Sequence, residues 1–259
     1  MLKHLFIPSE SKSDKNIVLI HGLGGDHRIW KHQIPSLQKK FNVLTIDLPS
    51  HAENNKKLSA MTTSIDAVSK EILKVIDYLK LNKCIFIGVS LGTVFIKHIE
   101  MYYPKYVESA ILVGAIGNVS LFLKASVNIF SKIGDKLPFQ FVYRLFSRII
   151  MPLKRSEKSR KIFCKCAEEL NATEFKQWMI ILAESIKMNL KFKTEERLQN
   201  LYISGVFDIC FLKGIKKEVA QTRAKLIQLE QCGHVCNIDR REEFNTIVMD
   251  YLESKHCTA

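Results

Sequence analysis

The chain has 259 residues, 47% of them hydrophobic and 25% charged, and its 39 Lys and Arg against 26 Asp and Glu give a net charge of +13. That length suits one α/β domain with an inserted lobe, is short for two full enzyme domains, and can close a core without disulfide or metal; the composition excludes disorder and coiled coil. The positive balance keeps nucleic acid, membrane surfaces and acidic partners in view until its distribution is known.

Met1 to Pro8 carries an apolar run far too short for a signal-peptide core or a membrane span. The seven cysteines form an odd set without repeated spacing, so a reducing, cytoplasmic setting is expected. Short aliphatic runs follow at Ile17–Ile20, Val43–Ile46, Cys84–Ile87, Ala110–Val113, Leu201–Ile203 and Leu226–Leu229. Their lack of alternation suits strands covered on both faces. Between them, Ile65, Val68, Ile72, Val75, Ile76 and Leu79 form one face of a helix whose other face carries Lys70, Glu71, Lys74 and Asp77. Strand alternating with helix predicts an α/β fold, a mostly parallel central sheet with helices on both faces, and ligands gathered at the carboxyl ends of the strands. From about Asn118 to Leu198 the pattern is helical and rich in aromatic residues. The expected division is therefore a core of residues 1–117 and 199–259 with a helical lid, 118–198, inserted in it.

Gly88-Val89-Ser90-Leu91-Gly92 follows the run ending at Ile87 and opens a helical stretch to about Tyr103. This is G-x-S-x-G in a strand, turn, helix context, where a sharp turn exposes the serine Oγ. A serine needs a base oriented by an acid to act as a nucleophile. Asp208 falls in the loop after Leu201–Gly205, and His234 in the loop after Leu226–Glu230. The catalytic candidates are thus Ser90, Asp208 and His234. Competing groups have plainer readings: His27, His32 and His98 as solvent-facing helical residues, and Asp239 as an N-cap before Glu242. His21-Gly22-Leu23-Gly24-Gly25 follows the first run, and its glycines let amides turn toward the serine, making Leu23 and Leu91 the expected oxyanion-hole donors. No phosphate-loop pattern accompanies these glycines, and Cys232-x-His234-x-Cys236 lacks the loop geometry of a zinc site. No metal or cofactor is expected.

These motifs resemble those of α/β-hydrolase fold serine hydrolases, and the likeness runs from about Ile17 to Leu252. It rests on His21–Gly25 with Trp30 downstream, Asp47-Leu48-Pro49-Ser50-His51, the Ser90 elbow, Gly205–Asp208 and Gly233-His234. The sequence departs from that family where its D-x-P-G-H-G reads Asp47-Leu48-Pro49-Ser50-His51-Ala52, and where Thr93 replaces a second glycine after the elbow. Dehalogenases and epoxide hydrolases of this fold use an aspartate at the elbow, so Ser90 separates the chain from both. The resemblance implies hydrolysis of carboxylic or acyl esters through an acyl-enzyme, with Trp30, Phe122, Phe141 and Trp178 as candidates for pocket lining and equally readable as core.

Between Arg144 and Lys165 there are eight basic residues and one acid, Glu157, so more than half the excess charge falls in the inserted lobe. A solvated helical face accounts for such a run; so does a landing surface for an acidic acyl carrier protein or, next, an anionic lipid. Nucleic acid ranks last and is not expected as a partner, since no recognised reader motif accompanies the charge. The three functional readings are an esterase, an esterase or thioesterase acting on carrier- or phospholipid-linked acyl groups, and a low-turnover binding or signalling member of the same fold.

Overall fold

The computed structural model describes residues 1–52, 64–133, 136–188 and 200–256. Seven strands, β1 (His4–Ile7), β2 (Asn16–Ile20), β3 (Asn42–Ile46), β4 (Cys84–Val89), β5 (Val107–Val113), β6 (Leu201–Gly205) and β7 (Lys225–Leu229), form one sheet. Its order is β1-β3-β2-β4-β5-β6-β7, with β1 antiparallel to β3 and the other pairs parallel. The six expected strands are all present, β5 beginning three residues earlier than its aliphatic run. The sequence reading missed β1. That strand sits at the sheet edge with its residues only partly covered, so it lacks the continuous apolar run that marks the centre.

The connections are α1 (Ile34–Leu37), α2 (Ile65–Tyr78), α3 (Leu91–Tyr102), α8 (Leu212–Val219), α9 (Cys236–Asp239) and α10 (Arg241–His256); α4 (Leu121–Ile133), α5 (Phe139–Ile150), α6 (Glu157–Cys166) and α7 (Ala172–Met188) fall between the adjacent strands β5 and β6. These four helices lie within 118–198, of which 134, 135 and 189–198 lie outside the described residues. Helix α2 starts where the Ser64 side chain accepts the Ala67 amide and buries the predicted stripe. Asp239 does not cap α10, as its spacing from Glu242 suggested; it ends α9 and accepts a hydrogen bond from Ser159 of α6.

Both faces of the central strands are covered. Leu19 and Ile87 share a crevice with Leu37 of α1 and Phe244 and Val248 of α10, while Ile96 of α3 lies over Gly88, and successive strand residues point to opposite faces. Helix α3 approaches β2 so closely that a Cβ on Gly92 would stand 2.4 Å from the Ile20 carbonyl oxygen and 2.9 Å from that of His21. The buried Lys97 of α3 pairs with Glu218 of α8 at 2.6 Å and also donates to the Ile116 carbonyl, so the charge is fully partnered in the core.

Gly92→Ala is expected to lower the unfolding free energy by roughly 1–3 kcal/mol, the usual cost of forcing a group into a filled site. Urea denaturation measures it, and an unchanged midpoint would contradict the contact with Ile20.

Candidate active site

Ser90 joins β4 to α3 with φ 52° and ψ −116°, a conformation an L-residue adopts only under constraint, at a cost of about 1–3 kcal/mol. Its amide donates to the Val113 carbonyl at 2.9 Å, and its carbonyl accepts both the Thr93 amide at 2.9 Å and the Thr93 hydroxyl at 2.6 Å. The same hydroxyl accepts the Ile116 amide at 3.2 Å. Thr93 thus ties the elbow to the loop after β5.

The loops after β6 and β7 bring Asp208 and His234 together. Asp208 is anchored by its amide on the Gly205 carbonyl at 3.0 Å. Its Oδ2 lies 3.0 Å from His234 Nδ1 and accepts the Ser204 hydroxyl at 3.3 Å. A carboxylate only accepts, so Nδ1 carries the proton and Nε2 keeps its lone pair. Phe211 stacks on the imidazole with centroids 4.6 Å apart and planes 24° from parallel. Nε2 is buried and makes no hydrogen bond. Such contacts to the nucleophile are commonly long before substrate binds.

Ser90 and His234 border one narrow cavity together with Leu23 and Leu91, and its walls include Ile116, Phe146, Ile150, Met151 and Phe163. The Leu91 amide belongs to the first turn of α3, whose N–H groups have no intrahelical acceptor. The Leu23-Gly24 peptide is gripped at both ends: Tyr143 of α5 donates to the Leu23 carbonyl at 3.0 Å, and the Gly24 amide donates to His51 Nε2 at 3.0 Å. Gly24 has φ +73°, and a Cβ there would fall 1.9 Å from the Tyr143 oxygen; only glycine fits. Burial pushes the Tyr143 phenol well above its ordinary pKa, so it remains a donor.

Two buried histidines complete the scaffold. His51 donates from Nδ1 to the Pro49 carbonyl at 2.9 Å, since its Nε2 is the acceptor for Gly24. His21 donates from Nδ1 to the Gly22 carbonyl at 2.8 Å and accepts the Leu48 amide at Nε2 at 2.9 Å. Burial, reinforced by the neighbouring His21, drives the His51 pKa down to about 3, and burial also lowers that of His21. Ser50 (φ 64°) and Ala52 (φ 51°) occupy the left-handed region at the two positions where the D-x-P-G-H-G pattern has glycine, so this loop carries backbone strain.

The four expected lining residues are not on the cavity. Trp30 is buried in the crevice behind β2 with Leu37 and Phe244, and Trp178 packs edge-on against His51 at 5.3 Å and Phe95 at 6.2 Å. Phe122 and Phe141 are 67% and 61% exposed. Apolar type alone did not distinguish core, cavity and surface. Two of the plainer histidine readings also change: His98 is buried, and His27 bonds Asp47 at 2.8 Å, which raises its pKa. Tyr143, Phe146, Phe163 and Phe211 were missed as site residues, because nothing local marks a side chain whose partners lie on other elements, for Tyr143 and Phe163 more than a hundred residues away in the chain.

Among the described residues no cluster of His, Cys, Asp and Glu has the arrangement to hold a metal. Beside the cavity lies a basic groove between α5 and α6, bordered by Arg144, Arg148, Arg160, Lys161 and Lys165 with Glu157 and Glu168; Ser147 borders both it and the cavity. Arg160 is committed to the carbonyls of Met151 and Leu153, and Arg155 stacks on Phe207 at 4.3 Å.

A family model described as the alpha/beta hydrolase fold matches residues 15–141. The chain is 24% identical over 274 residues to monoacylglycerol lipase ABHD6 of Homo sapiens, the match covering 94% of this chain and 77% of that protein. It is 24% identical over 244 residues to the putative carbamate hydrolase RutD of Stutzerimonas stutzeri (strain A1501), covering 91% of each. The solved esterase EaEST from Exiguobacterium antarcticum matches with TM-score 0.83 at 17% identity, covering 97% of this chain and 95% of that one.

The buried histidines set an acid limit. His51 is neutral in the folded chain down to about pH 3, whereas unfolded it takes up a proton near the ordinary 6.5. Its contribution to stability is therefore full above about pH 6.5 and is lost progressively toward pH 3, by up to about 1.4 kcal/mol per pH unit. In urea denaturation from neutral to acid pH, His51→Gln is expected to be less stable than the parent at neutral pH and to approach it as the pH falls. A constant difference would refute the assignment.

Proposed function

Since the chain is an α/β-hydrolase-fold hydrolase, we propose that it cleaves carboxylic esters through Ser90, His234 and Asp208 by way of an acyl-enzyme. The observation that carries this reading is His234: its Nδ1 is held by Asp208, its Nε2 makes no hydrogen bond, and its side chain borders the same cavity as Ser90. Ser90 Oγ attacks the acyl carbonyl while Nε2 takes its proton. The Leu23 and Leu91 amides hold the oxyanion, a contribution of about 3–4 kcal/mol each in comparable sites. The carbon–oxygen bond to the alcohol then breaks, and His234 returns the proton to the departing oxygen. Water enters, gives a proton to His234 and attacks the acyl carbon; Ser90 leaves with that proton as the carboxylic acid is released. Asp208 holds the imidazole in the required tautomer and stabilises its transient charge.

The apolar walls formed by Ile116, Phe146, Ile150, Met151 and Phe163 suit the acyl chain, and the groove across Ser147 favours an ester whose alcohol side carries negative charge, on a phospholipid or an acidic carrier protein. A low-turnover binding role is the competing reading, supported only by the fact that the residues of a triad do not by themselves specify a rate.

Ser90→Ala is expected to abolish hydrolysis of p-nitrophenyl esters and labelling by a fluorophosphonate. Retention of either removes the esterase reading, and a burst of acyl-enzyme without continued turnover would favour the binding role. Tyr143→Phe removes one hydrogen bond behind the oxyanion loop. A roughly 2- to 13-fold fall in kcat with KM nearly unchanged is expected from that loss; equal changes in both would mean that Tyr143 does not position the loop.

A further inference from the structure

Helices α4 and α5 each show two faces. Leu123, Val127 and Phe130 of α4 and Val142, Tyr143 and Phe146 of α5 are buried, and the two helices meet through Phe130 and Phe146 at 5.8 Å. The opposite face of α4 exposes Leu121 (83%), Phe122 (67%) and Ile129 (53%), and that of α5 exposes Phe141 and Leu145. These are large apolar side chains in water on neighbouring helices, a pattern soluble proteins restrict to surfaces that contact something. Neither helix contains an acid; Lys132, Arg144 and Arg148 are exposed on them, and Lys161 and Lys165 of α6 border the same groove as Arg144 and Arg148, together with Glu168 and with Glu157, which pairs with Lys161 at 2.8 Å and leaves the basic residues in excess.

We propose that the outer face of α4 and α5 docks on an anionic lipid bilayer, with Leu121, Phe122, Ile129 and Phe141 entering the interface and Arg144, Arg148, Lys161 and Lys165 meeting lipid phosphates. A membrane surface satisfies both halves of this face at once, because apolar side chains reach the acyl boundary while cations on the same helices stay at headgroup depth. An acidic carrier protein would answer the charge alone and leave the α4 face uncovered. The groove also has a geometric relation to the cavity: Ser147 is common to both, so a lipid phosphate held by Arg144 and Arg148 places the rest of that lipid next to the apolar walls. The docking itself does not depend on the ester-hydrolysis reading.

Flotation of the full chain carrying Ser90→Ala, with phosphatidylcholine vesicles with and without phosphatidylglycerol, tests the proposal without turnover. Binding is expected only with the anionic lipid and is expected to weaken at high salt. Neutralising each arginine is expected to cost about 5-fold in affinity, so Arg144→Gln with Arg148→Gln costs roughly 25-fold; Lys161→Gln with Lys165→Gln provides a second pair should the first impair folding, as judged by thermal melting followed by circular dichroism. Leu121→Ser with Ile129→Ser is expected to weaken binding at least about 10-fold, in keeping with two apolar side chains kept in water. The proposal is overturned by equal binding to neutral vesicles, by parental affinity in well-folded charge variants, or by absence of vesicle binding, whether or not the chain binds an acidic carrier protein or pairs with a second copy through this face.

Discussion

The reversal of the chain at Ser90 is the constraint around which the other parts are arranged. A φ of 52° is unfavourable for serine, and it persists because both arms of the turn are locked: β4 is entirely buried between β2 and β5, and α3 is pressed onto β2 at Gly92. Relaxing the serine would pull the helix off the sheet and expose a continuous apolar surface. The packing of strand and helix therefore offsets the local strain, and the hydroxyl is left at the carboxyl edge of the sheet beside the loops that end β2, β6 and β7.

Neutral hydrogen bonds hold those loops alongside the His27–Asp47 and Arg28–Asp26 pairs. His21 and His51 act as fixed tautomers that join the turn after β2 to the turn after β3, and Tyr143 reaches the same turn from α5. Trp178 of α7 packs against His51. The helices between β5 and β6 thus do more than cover the cavity, since two of them help set the backbone that supplies one of the proposed oxyanion amides. A second tie runs from α6 to the loop of His234, where Ser159 bonds Asp239 and burial raises the Asp239 pKa. Core and inserted helices share one polar framework, so changes in the helices reach the proposed chemistry through hydrogen bonds.

The excess charge acquires a location and a texture. The basic residues of the inserted helices are not equivalent: Arg160 is spent on backbone carbonyls, Arg155 on an aromatic face and Lys161 on Glu157, while Arg144, Arg148 and Lys165 border an open groove. The helix α5 that lines this groove also exposes Phe141 and Leu145, a combination that charge counting along the sequence does not distinguish from a solvated helix.

By itself the sequence determined the alternation of strand and helix, the elbow at Ser90, and the chain order of Ser90, Asp208 and His234, because those features are written in short segments: an aliphatic run, a glycine pair around a turn, a polar residue just past a strand. It also marked the inserted helices and the concentration of charge within them. It did not mark β1, whose partial burial at the sheet edge leaves little apolar signal. Nor did it separate Trp30 and Trp178, sunk in the core, from Phe122 and Phe141, out in solvent, or find Tyr143 and Phe163 at the cavity. Those distinctions depend on which face of one element meets which face of another, often a hundred residues away in the chain. Hydrophobicity expresses a preference for burial that many positions satisfy equally well; only the packed arrangement decides which partner provides it.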